Sequence, residues 1–416
     1  MTSNVPAAEG EPLECRGEFE PRQLSLDLEP SYDHQNETGS GSASLISPPG
    51  PISAPPSQQG SIRQDSKQSN SIPVPLPLRV ADYPEFRYMG SKHRLLPWVH
   101  QVLSTIEFRT AADPFVGSGC VSYLMKSMGK QVKASDFLNF PAVIAEATVA
   151  NQRYRLNPSV IERLLMPVPQ GSDFITRTFS GIFYNVEDLR FLDSISARID
   201  EIANRYLRAM ALAALIRSCL KKQPRGVFTV SGNLARYDDG RRDLRLSLRD
   251  HFLEQAQIFN KLVFDNGQRN FVRHSDVFDL YPKNIDLVYL DPPYVPRSDD
   301  NCYIKRYHFL EGLSCYWRGL QIMNDTKVRK IRKKNTPFAY RKTALDAFDR
   351  LFRLFQDSII VLSYSSNGFP DLAEIEALMR RYKPDIVIHR KPHRYHFGTH
   401  SAVGRAAVQE YLIVGR

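Results

Sequence analysis

The sequence predicts an α/β fold in which a mostly parallel sheet is interrupted by a helical insert and preceded by a disordered tail. Short apolar runs such as residues 285–290 are typical of buried parallel strands. Residues 186–222 repeat apolar side chains at helical spacing, which indicates one or two packed helices. The chain has 416 residues, which is too many for one ordinary domain.

The first 80 residues differ in composition from the rest of the chain. They hold 12 of the 28 prolines and 13 serines, with few apolar clusters. Such a segment cannot bury enough apolar surface to offset the entropy lost on ordering. We therefore predict that residues 1–80 form a disordered tail rich in proline and serine.

Charge is also distributed unevenly. Residues 1–80 contain 10 acidic and 5 basic residues, a net charge of −5, whereas the whole chain carries +10. Residues 81–416 therefore carry +15. A folded part as basic as this favours a polyanionic partner such as nucleic acid, and plain solubility is the alternative explanation.

The cysteine pattern and hydropathy bear on compartment and metal binding. The five cysteines form no CxxC pair, which argues against a disulfide framework or a zinc site and favours reduced thiols. Histidines between 393 and 400 lie in a stretch with Pro392 and Gly398 that offers no helix to align them, so no metal is predicted. Neither a membrane-spanning apolar run nor a signal-peptide pattern is visible, so a cytoplasmic protein without membrane contact is expected.

Residues 110–125 predict a strand, a tight glycine loop and a helix in succession. Gly117 and Gly119 would let the backbone approach a ligand closely, and the helix N-terminus behind them offers N–H groups to a carboxylate or phosphate. A second predicted strand ends at Asp136, at the distance where an acidic residue commonly bonds the hydroxyls of a ribose. Loop and acid together indicate a cofactor that contains adenosine.

Two such cofactors compete for this loop. A dinucleotide fingerprint requires a third glycine, but Ser122 stands at that position, and no phosphate-binding lysine of the Walker type is present. S-adenosylmethionine fits better, because its methionine carboxylate suits the helix N-terminus and it has no pyrophosphate.

The tetrapeptide that begins at Asp291 follows the predicted strand at 285–290. Two prolines cannot continue a central strand, so the chain turns at the carboxyl end of that strand, where open α/β sheets bind ligands. The Asp291 carboxylate and the Pro292 carbonyl could accept both N–H bonds of an amino group on a planar base, while Tyr294 offers a flat face for stacking. An ordinary strand-ending turn is the alternative.

Residues 83–416 resemble the Dam-type DNA adenine methyltransferases. Four motifs recur in that family's order, namely Tyr88-x-Gly-Ser-Lys92, Asp113-Pro-Phe-x-Gly-Ser-Gly119, Asp136 and Asp291-Pro-Pro-Tyr294. The resemblance implies a Rossmann-like methyltransferase sheet with an inserted, mostly helical target-recognition domain. It also implies S-adenosylmethionine as methyl donor, double-stranded DNA as substrate, and a cognate restriction endonuclease as a candidate partner.

The resemblance further assigns residues to roles. Tyr88 corresponds to an aromatic by the cofactor adenine, Lys92 to a lysine at the cofactor or target pocket, and Asp276 to an acid that bonds the adenine amino group. Some relatives carry tryptophan in place of Tyr88, a change that preserves stacking. The implied cofactor-binding set is Tyr88, Lys92, Asp113, Phe115, Gly117, Gly119, Asp136, Asp276 and Asp291. The implied catalytic set is Asp291, Pro292, Pro293 and Tyr294.

Between Asp136 and Asp276 lie far more residues than a β-α-β crossover requires, so an insert is predicted. We divide the folded part into residues 81–150, an inserted domain at 151–265, and residues 266–416. The predicted DNA contacts in the insert are Lys221, Lys222, Gln223 and Arg225. A second basic run, Lys327 to Lys334, has six cations in eight residues. Solvated charged turns are the alternative for both.

The predicted reaction is transfer of a methyl group to the exocyclic N6 of an adenine flipped out of the DNA duplex. The order of motifs favours adenine over the N4 amino group of cytosine, which stays open as an alternative. A catalytically idle DNA-binding module and an RNA or small-molecule methyltransferase also stay open.

Overall fold

The structure is a computed structural model that describes residues 74–168, 171–229, 239–296, 302–394 and 407–416. Seven strands form one sheet in the order β3-β2-β1-β4-β6-β9-β8, and two short strands form a separate antiparallel pair, β5 with β7. The strands are β1 (Thr110–Asp113), β2 (Gln131–Asp136), β3 (Phe271–His274), β4 (Leu287–Leu290), β5 (Val295–Pro296), β6 (Ile359–Ser365), β7 (Gly368–Phe369), β8 (Ile386–Arg394) and β9 (Ala407–Gly415).

The five strands β3, β2, β1, β4 and β6 run parallel, and β9 lies antiparallel between β6 and β8. Their carboxyl ends therefore meet at one edge of the sheet, which we call the carboxyl edge. The turns that follow β1, β2, β3 and β4 all open at this edge. The predicted α/β fold with a mostly parallel sheet is confirmed.

Helices surround the sheet and build the insert. They are α1 (Leu96–Leu103), α2 (Cys120–Ser127), α3 (Asn139–Ala145), α4 (Pro158–Leu165), α5 (Phe174–Phe179), α6 (Val186–Asp200), α7 (Arg205–Lys222), α8 (Arg242–Arg245), α9 (Leu248–Leu262), α10 (Tyr303–Cys315), α11 (Arg341–Leu354) and α12 (Leu372–Met379). A π-helical turn, Glu146–Ala150, extends α3. None of the helices in the described ranges is long and apolar enough to cross a membrane.

Local sequence fixes where the long helices of the insert begin. The Asn185 side chain accepts a hydrogen bond from the Asp188 N–H at the start of α6, and Asn204 accepts from the first turn of α7. Ser247 caps α9 in the same way. Each cap satisfies a backbone N–H that has no partner within its own helix. The helical pattern predicted over 186–222 is therefore realised as two helices, with the break at residues 201–204.

In the described part of the insert, the buried apolar side chains belong to the same core as the sheet. Buried side chains of α2, α7, α9 and β4 belong to one apolar cluster, among them Leu124, Leu215, Phe252 and Leu287. The helices of the insert thus complete the core on one face of the sheet. The boundaries drawn at 150/151 and 265/266 stay predictions, because the core does not separate there.

Regular structure is present within the last residues of the predicted tail. Residues 1–73 of the predicted tail lie outside the described residues, as do residues 395–400 of the histidine-containing stretch. Residues 74–80 contradict a tail that extends to 80, because Leu78–Asp82 forms a 3-10 helix and Val80 is buried. The Tyr83 hydroxyl then donates to the Ser118 carbonyl at 2.6 Å, which ties this segment to the glycine loop.

Candidate active site at the carboxyl edge

A buried ion pair joins the first and last predicted motifs. Lys92 Nζ lies 2.9 Å from Asp291 Oδ1 and also donates to the Gly90 carbonyl at 3.0 Å. Asp291 comes directly after β4, and Lys92 is only 5% exposed. Burial raises the pKa of Asp291 above its usual value, while the Lys92 ammonium acts in the opposite direction. The pair places an acceptor with a fixed orientation at the end of a central strand.

The turn after Asp291 is held by packing on both sides. Pro292 is buried, and the Tyr294 ring meets the Tyr364 ring edge-to-face with centroids 5.4 Å apart. The next two residues pair with β7. A Cβ at Gly368 would lie 2.9 Å from Tyr364 Oη and 3.1 Å from Tyr294 Cδ2, so a larger residue here would displace the two rings. Sequence reasoning missed Gly368, whose role depends on two aromatic rings from elsewhere.

The glycine loop after β1 has the backbone geometry that its sequence predicts. Gly117 and Gly119 have φ of +51° and +78°, a region that favours glycine. A Cβ at Gly119 would lie 2.6 Å from Tyr83 Oη. Asp136 Oδ2 accepts the Gly117 N–H and Oδ1 accepts the Leu138 N–H, both at 2.9 Å. Asp136 therefore holds the backbone of the loop in place. The remaining lone pairs of its carboxylate can accept hydrogen bonds from further donors.

Two of the buried carboxyl groups have pKa values well above the usual value of an aspartate. Burial raises the pKa of Asp113 to about 7 and that of Asp136 to about 7. Asp113 Oδ2 accepts the Ser122 hydroxyl at 2.6 Å, and Oδ1 accepts the Phe115 N–H at 3.3 Å. These bonds brace the loop against α2. Ser122, the residue that replaces the third glycine of a dinucleotide fingerprint, is thus the partner of Asp113, a role that the sequence did not suggest.

An aromatic wall stands beside the loop. Phe115 meets Phe338 edge-on at 5.6 Å, and Phe338 stacks on Phe278 at 5.8 Å with an interplanar angle of 9°. Asp276, which follows β3, accepts the Phe278 N–H at 3.0 Å. The structure thus brings Phe115 and Asp276 to the same edge as Asp136. Phe338 comes from a distant segment and was not predicted.

Tyr88 lies over the glycine loop in a cluster of aromatic rings. Its ring stacks on Tyr307 with centroids 4.9 Å apart and lies 5.5 Å from Tyr303. A Cβ at Gly117 would lie 2.9 Å from Tyr88 Cε1. The Tyr307 hydroxyl accepts the Met89 N–H at 2.7 Å, and the Tyr303 hydroxyl donates to the Met89 carbonyl at 3.3 Å. Helix α10 therefore packs against the Tyr88 ring and holds the neighbouring Met89 backbone in place.

Helix α10 crosses the carboxyl edge and contacts α3 at its other end. The buried Glu311 carboxylate accepts the Asn139 N–H at 2.8 Å and the Phe140 N–H at 3.2 Å. The Asn139 side chain donates to Ser314 Oγ at 2.8 Å. A carboxylate is favourable at a helix N-terminus, where backbone N–H groups lack intrahelical partners. Glu311 thus fixes α10 to the turn that follows Asp136.

The basic loop of the insert does not match the roles predicted for it. Gln223 is only 3% exposed, and its Nε2 donates to the Phe183 carbonyl at 3.3 Å. Lys222 Nζ contacts Asp188 Oδ2 and donates to the Leu246 carbonyl, both at 2.6 Å. Lys221 pairs with Asp243 at 3.0 Å. The prediction that Gln223 reads a base is wrong, because its amide is buried inside the protein.

The prediction that Lys222 contacts DNA is wrong for a similar reason, since its ammonium is bound to Asp188 and to the Leu246 carbonyl. Lys221 is partly exposed but shares its charge with Asp243. Arg225 is exposed and remains compatible with DNA contact. The predicted cofactor and catalytic residues therefore converge at one edge of the sheet, whereas the predicted DNA contacts divide into internal and exposed residues.

Comparison with known proteins agrees with this geometry. Residues 88–356 match the model of the D12 class N6 adenine-specific DNA methyltransferases. The type II methyltransferase M2.HphI of Haemophilus parahaemolyticus is 29% identical over 75% of this chain and 92% of its own length. The modification methylase LlaI of Lactococcus lactis subsp. lactis is 22% identical over 74% of this chain and 51% of its own length.

The type II methyltransferase M.FokI of Planomicrobium okeanokoites is 24% identical over 78% of this chain and 52% of its own length. The chain thus spans almost all of M2.HphI and about half of the two longer relatives. The matched range contains every residue predicted for the cofactor and catalytic sites. The chain belongs to the D12 class of N6 adenine-specific DNA methyltransferases.

Proposed function

We propose that this enzyme transfers a methyl group from S-adenosylmethionine to N6 of an adenine flipped out of double-stranded DNA, at one specific sequence. The buried pair of Lys92 with Asp291, at the end of β4 and beside Tyr294, is the observation that carries the proposal. Asp113 and Asp136 also end central strands, but their carboxylates accept hydrogen bonds from α2 and from the glycine loop, whereas Asp291 is held by Lys92.

Asp291 and Pro292 would act on the target amino group. The lone pair of an exocyclic ring nitrogen is delocalised, which makes that nitrogen a poor nucleophile. Accepting one N–H at the Asp291 carboxylate and the other at the Pro292 carbonyl favours a pyramidal nitrogen with an available lone pair. This is positioning and electrostatic stabilisation by groups that are already in place.

Lys92 and Tyr294 would support this step. Lys92 holds one oxygen of Asp291, and the remaining acceptor sites of a carboxylate are sufficient for the base. The Tyr294 ring would stack on the flipped base and offset part of the cost of unstacking. Its edge-to-face contact with Tyr364 fixes the plane of the ring before the base arrives.

The residues around the glycine loop fit S-adenosylmethionine, which supplies an electrophilic methyl group when bound. Gly117 and Gly119 have no space for a Cβ, and α2 begins directly behind them, so its first turn has backbone N–H groups without intrahelical partners. Asp136 would accept ribose hydroxyls. Asp276 would accept the adenine amino group beside Phe115 and its aromatic wall. Tyr88 would contribute a stacking face above the loop.

The N4 amino group of cytosine offers the same two N–H bonds, so it is the nearest competing target. The family to which the chain belongs favours adenine. A catalytically idle module is disfavoured, because the residues of all four motifs are retained and converge at the carboxyl edge. The type II relatives favour a restriction–modification role, with a cognate endonuclease as partner.

Expression in a host that lacks DNA methylation, followed by single-molecule sequencing of the host DNA, tests the proposal. The wild-type chain should modify adenines within one sequence motif, and Asp291→Asn should modify far fewer of them at the same expression level. Modified cytosines would assign the N4 alternative. Unmodified DNA from cells that contain folded wild-type protein would refute the proposed function.

A further inference from the structure

Residues 320–336, which we call the basic hairpin, connect α10 to α11. Ile322 and Ile331 form a β-bridge, the Met323 N–H donates to the Lys330 carbonyl at 2.7 Å, and the Arg332 N–H donates to the Gln321 carbonyl at 3.0 Å. Val328 and Ile331 are buried and anchor the hairpin. Its six cations outnumber its single acid, Asp325, and give it a net charge of +5.

The cations stand close to the candidate active site. Lys333 and Lys334 line a small pocket together with Phe137, Tyr303 and Tyr340. Phe137 directly follows Asp136, and Tyr303 opens the helix that follows the catalytic turn. Lys334 Nζ also lies 4.0 Å from Glu311 Oε1. The hairpin therefore presents its charge at the carboxyl edge.

The carboxyl edge otherwise carries many acids. Asp113, Asp136, Asp276, Asp291 and Glu311 all lie there, and those that are ionised oppose the approach of a phosphate backbone. The cations predicted to attract DNA from the insert are bound internally at Lys222 and shared with an acid at Lys221. Of the predicted DNA contacts in the insert only Arg225 is exposed, and the basic hairpin adds further positive charge at the carboxyl edge.

We propose that the basic hairpin binds the phosphodiester backbone of DNA beside the flipped nucleotide, through exposed cations that include Arg332 and Lys333. The proposal rests on the proposed function and adds to it a second, sequence-independent contact that lies outside the insert. Lysine and arginine on a hairpin reach phosphates without reading bases, so the contact positions the duplex and does not select the sequence.

A charge-matched pair of double variants tests this surface in the full-length protein. Arg332→Gln with Lys333→Gln removes two cations from the hairpin. Arg353→Gln with Arg380→Gln removes two cations near the C-terminal ends of α11 and α12, where the chain enters β6 and β8 at the opposite edge of the sheet. The dissociation constant for a duplex of arbitrary sequence is then measured over a series of salt concentrations.

The hairpin variant should lower the slope of log affinity against log salt by about 2, because each lost phosphate contact removes roughly one unit. The opposite-edge control should keep the wild-type slope. Lys333→Gln alone should lower the slope by about 1, which keeps the proposal testable if the double variant is unstable. Cofactor affinity and the methylated motif should not change in any of these variants.

Wild-type salt dependence in both hairpin variants would overturn the proposal and make the hairpin a solvated turn. Loss of cofactor affinity would show that these cations serve the cofactor instead, and a changed motif would show base reading; either result also contradicts the proposal. Failure of the proposed function is distinguishable, because the wild-type protein itself would then not methylate DNA.

Discussion

Two lysine–carboxylate pairs in this molecule have nearly the same local chemistry. Lys92 Nζ lies 2.9 Å from Asp291 Oδ1, with side chains 5% and 19% exposed. Lys222 Nζ lies 2.6 Å from Asp188 Oδ2, with side chains 12% and 3% exposed. Both lysines belong to a sequence motif that predicted contact with a ligand. Only the first pair stands where a ligand could reach it.

The difference lies in the other partners of each group. Asp188 Oδ1 accepts the Leu248 N–H at 2.7 Å, and Lys222 donates to the Leu246 carbonyl, so the second pair joins α6 and α7 to the start of α9. Asp291 instead follows a central parallel strand, with Tyr294 beside it. Position relative to the sheet therefore distinguishes the pair that we propose for catalysis from the structural pair when residue types do not.

Asp291→Asn should produce the largest effect. The amide keeps the shape of the side chain but replaces one acceptor oxygen with a donor, so it cannot hold the target amino group as the carboxylate does. We expect kcat to fall by about 10²- to 10³-fold, the usual loss for one preorganised polar group, while cofactor affinity stays within about tenfold. Single-turnover methylation and calorimetry measure the two quantities. Near-normal turnover would remove Asp291 from the mechanism.

Lys222→Met should affect stability and not chemistry. Removing the ammonium leaves the Asp188 carboxylate buried with one partner fewer, which should lower the free energy of unfolding by about 3 kcal/mol. Urea denaturation measures this loss. The methylated motif and the turnover per folded molecule should match the wild type. An altered motif with unchanged stability would reverse the contrast between the two pairs.

Lys92→Met should change the pH dependence of the reaction. Burial raises the pKa of Asp291, and Lys92 counteracts that rise, so removing Lys92 should raise this pKa further. The proposed reaction requires the ionised carboxylate, and the acid limb of the profile of kcat against pH should therefore move to higher pH. Activity lost near neutrality should partly return in alkaline buffer. A uniform loss at every pH would indicate a purely structural lysine.

The features that the sequence predicted best are those fixed by short segments. The glycine loop, Asp136 and the turn at Asp291 each follow or end a strand directly, and the ends of parallel strands meet at one edge whatever the rest of the chain does. Their convergence therefore followed from local pattern and topology. The same reasoning predicted an insert between the strand that ends at Asp136 and the later strands of the sheet.

The features that were missed depend on distant contacts. The Gln223 side chain points inward, in a loop that Arg87 holds in place. Arg87 Nη1 donates to the Lys221 carbonyl at 2.9 Å and to the Gln223 carbonyl at 3.1 Å. No pattern within the loop contains that information. The roles of Gly368 and Ser122 likewise depend on partners elsewhere in the chain. A Cβ at Gly368 would meet the rings beside the turn that begins at Asp291. Ser122 donates to the carboxylate at the end of β1. The tail boundary failed because the average composition of 80 residues concealed the apolar residues at its end.

Arg225→Gln should give the smallest effect and tests what remains of the insert's predicted DNA contact. Arginine discriminates guanine from other bases by about 1–3 kcal/mol. If Arg225 reads a base, the variant should tolerate several bases at one position of the methylated motif. Lys333→Gln in the basic hairpin is the matched control and should weaken binding to all duplexes alike. An unchanged motif in Arg225→Gln would place sequence reading elsewhere in the insert.

The central claim is that the buried Lys92 and Asp291 pair presents the amino group of adenine in DNA for methyl transfer. The most direct measurement incubates purified wild-type protein with S-adenosylmethionine carrying a deuterated methyl group and unmethylated duplex DNA, then digests the DNA to nucleosides for mass spectrometry. The wild type should yield labelled N6-methyladenine, and Asp291→Asn should yield almost none while still binding the cofactor. Labelled N4-methylcytosine, or equal labelling by the two proteins, would contradict the account.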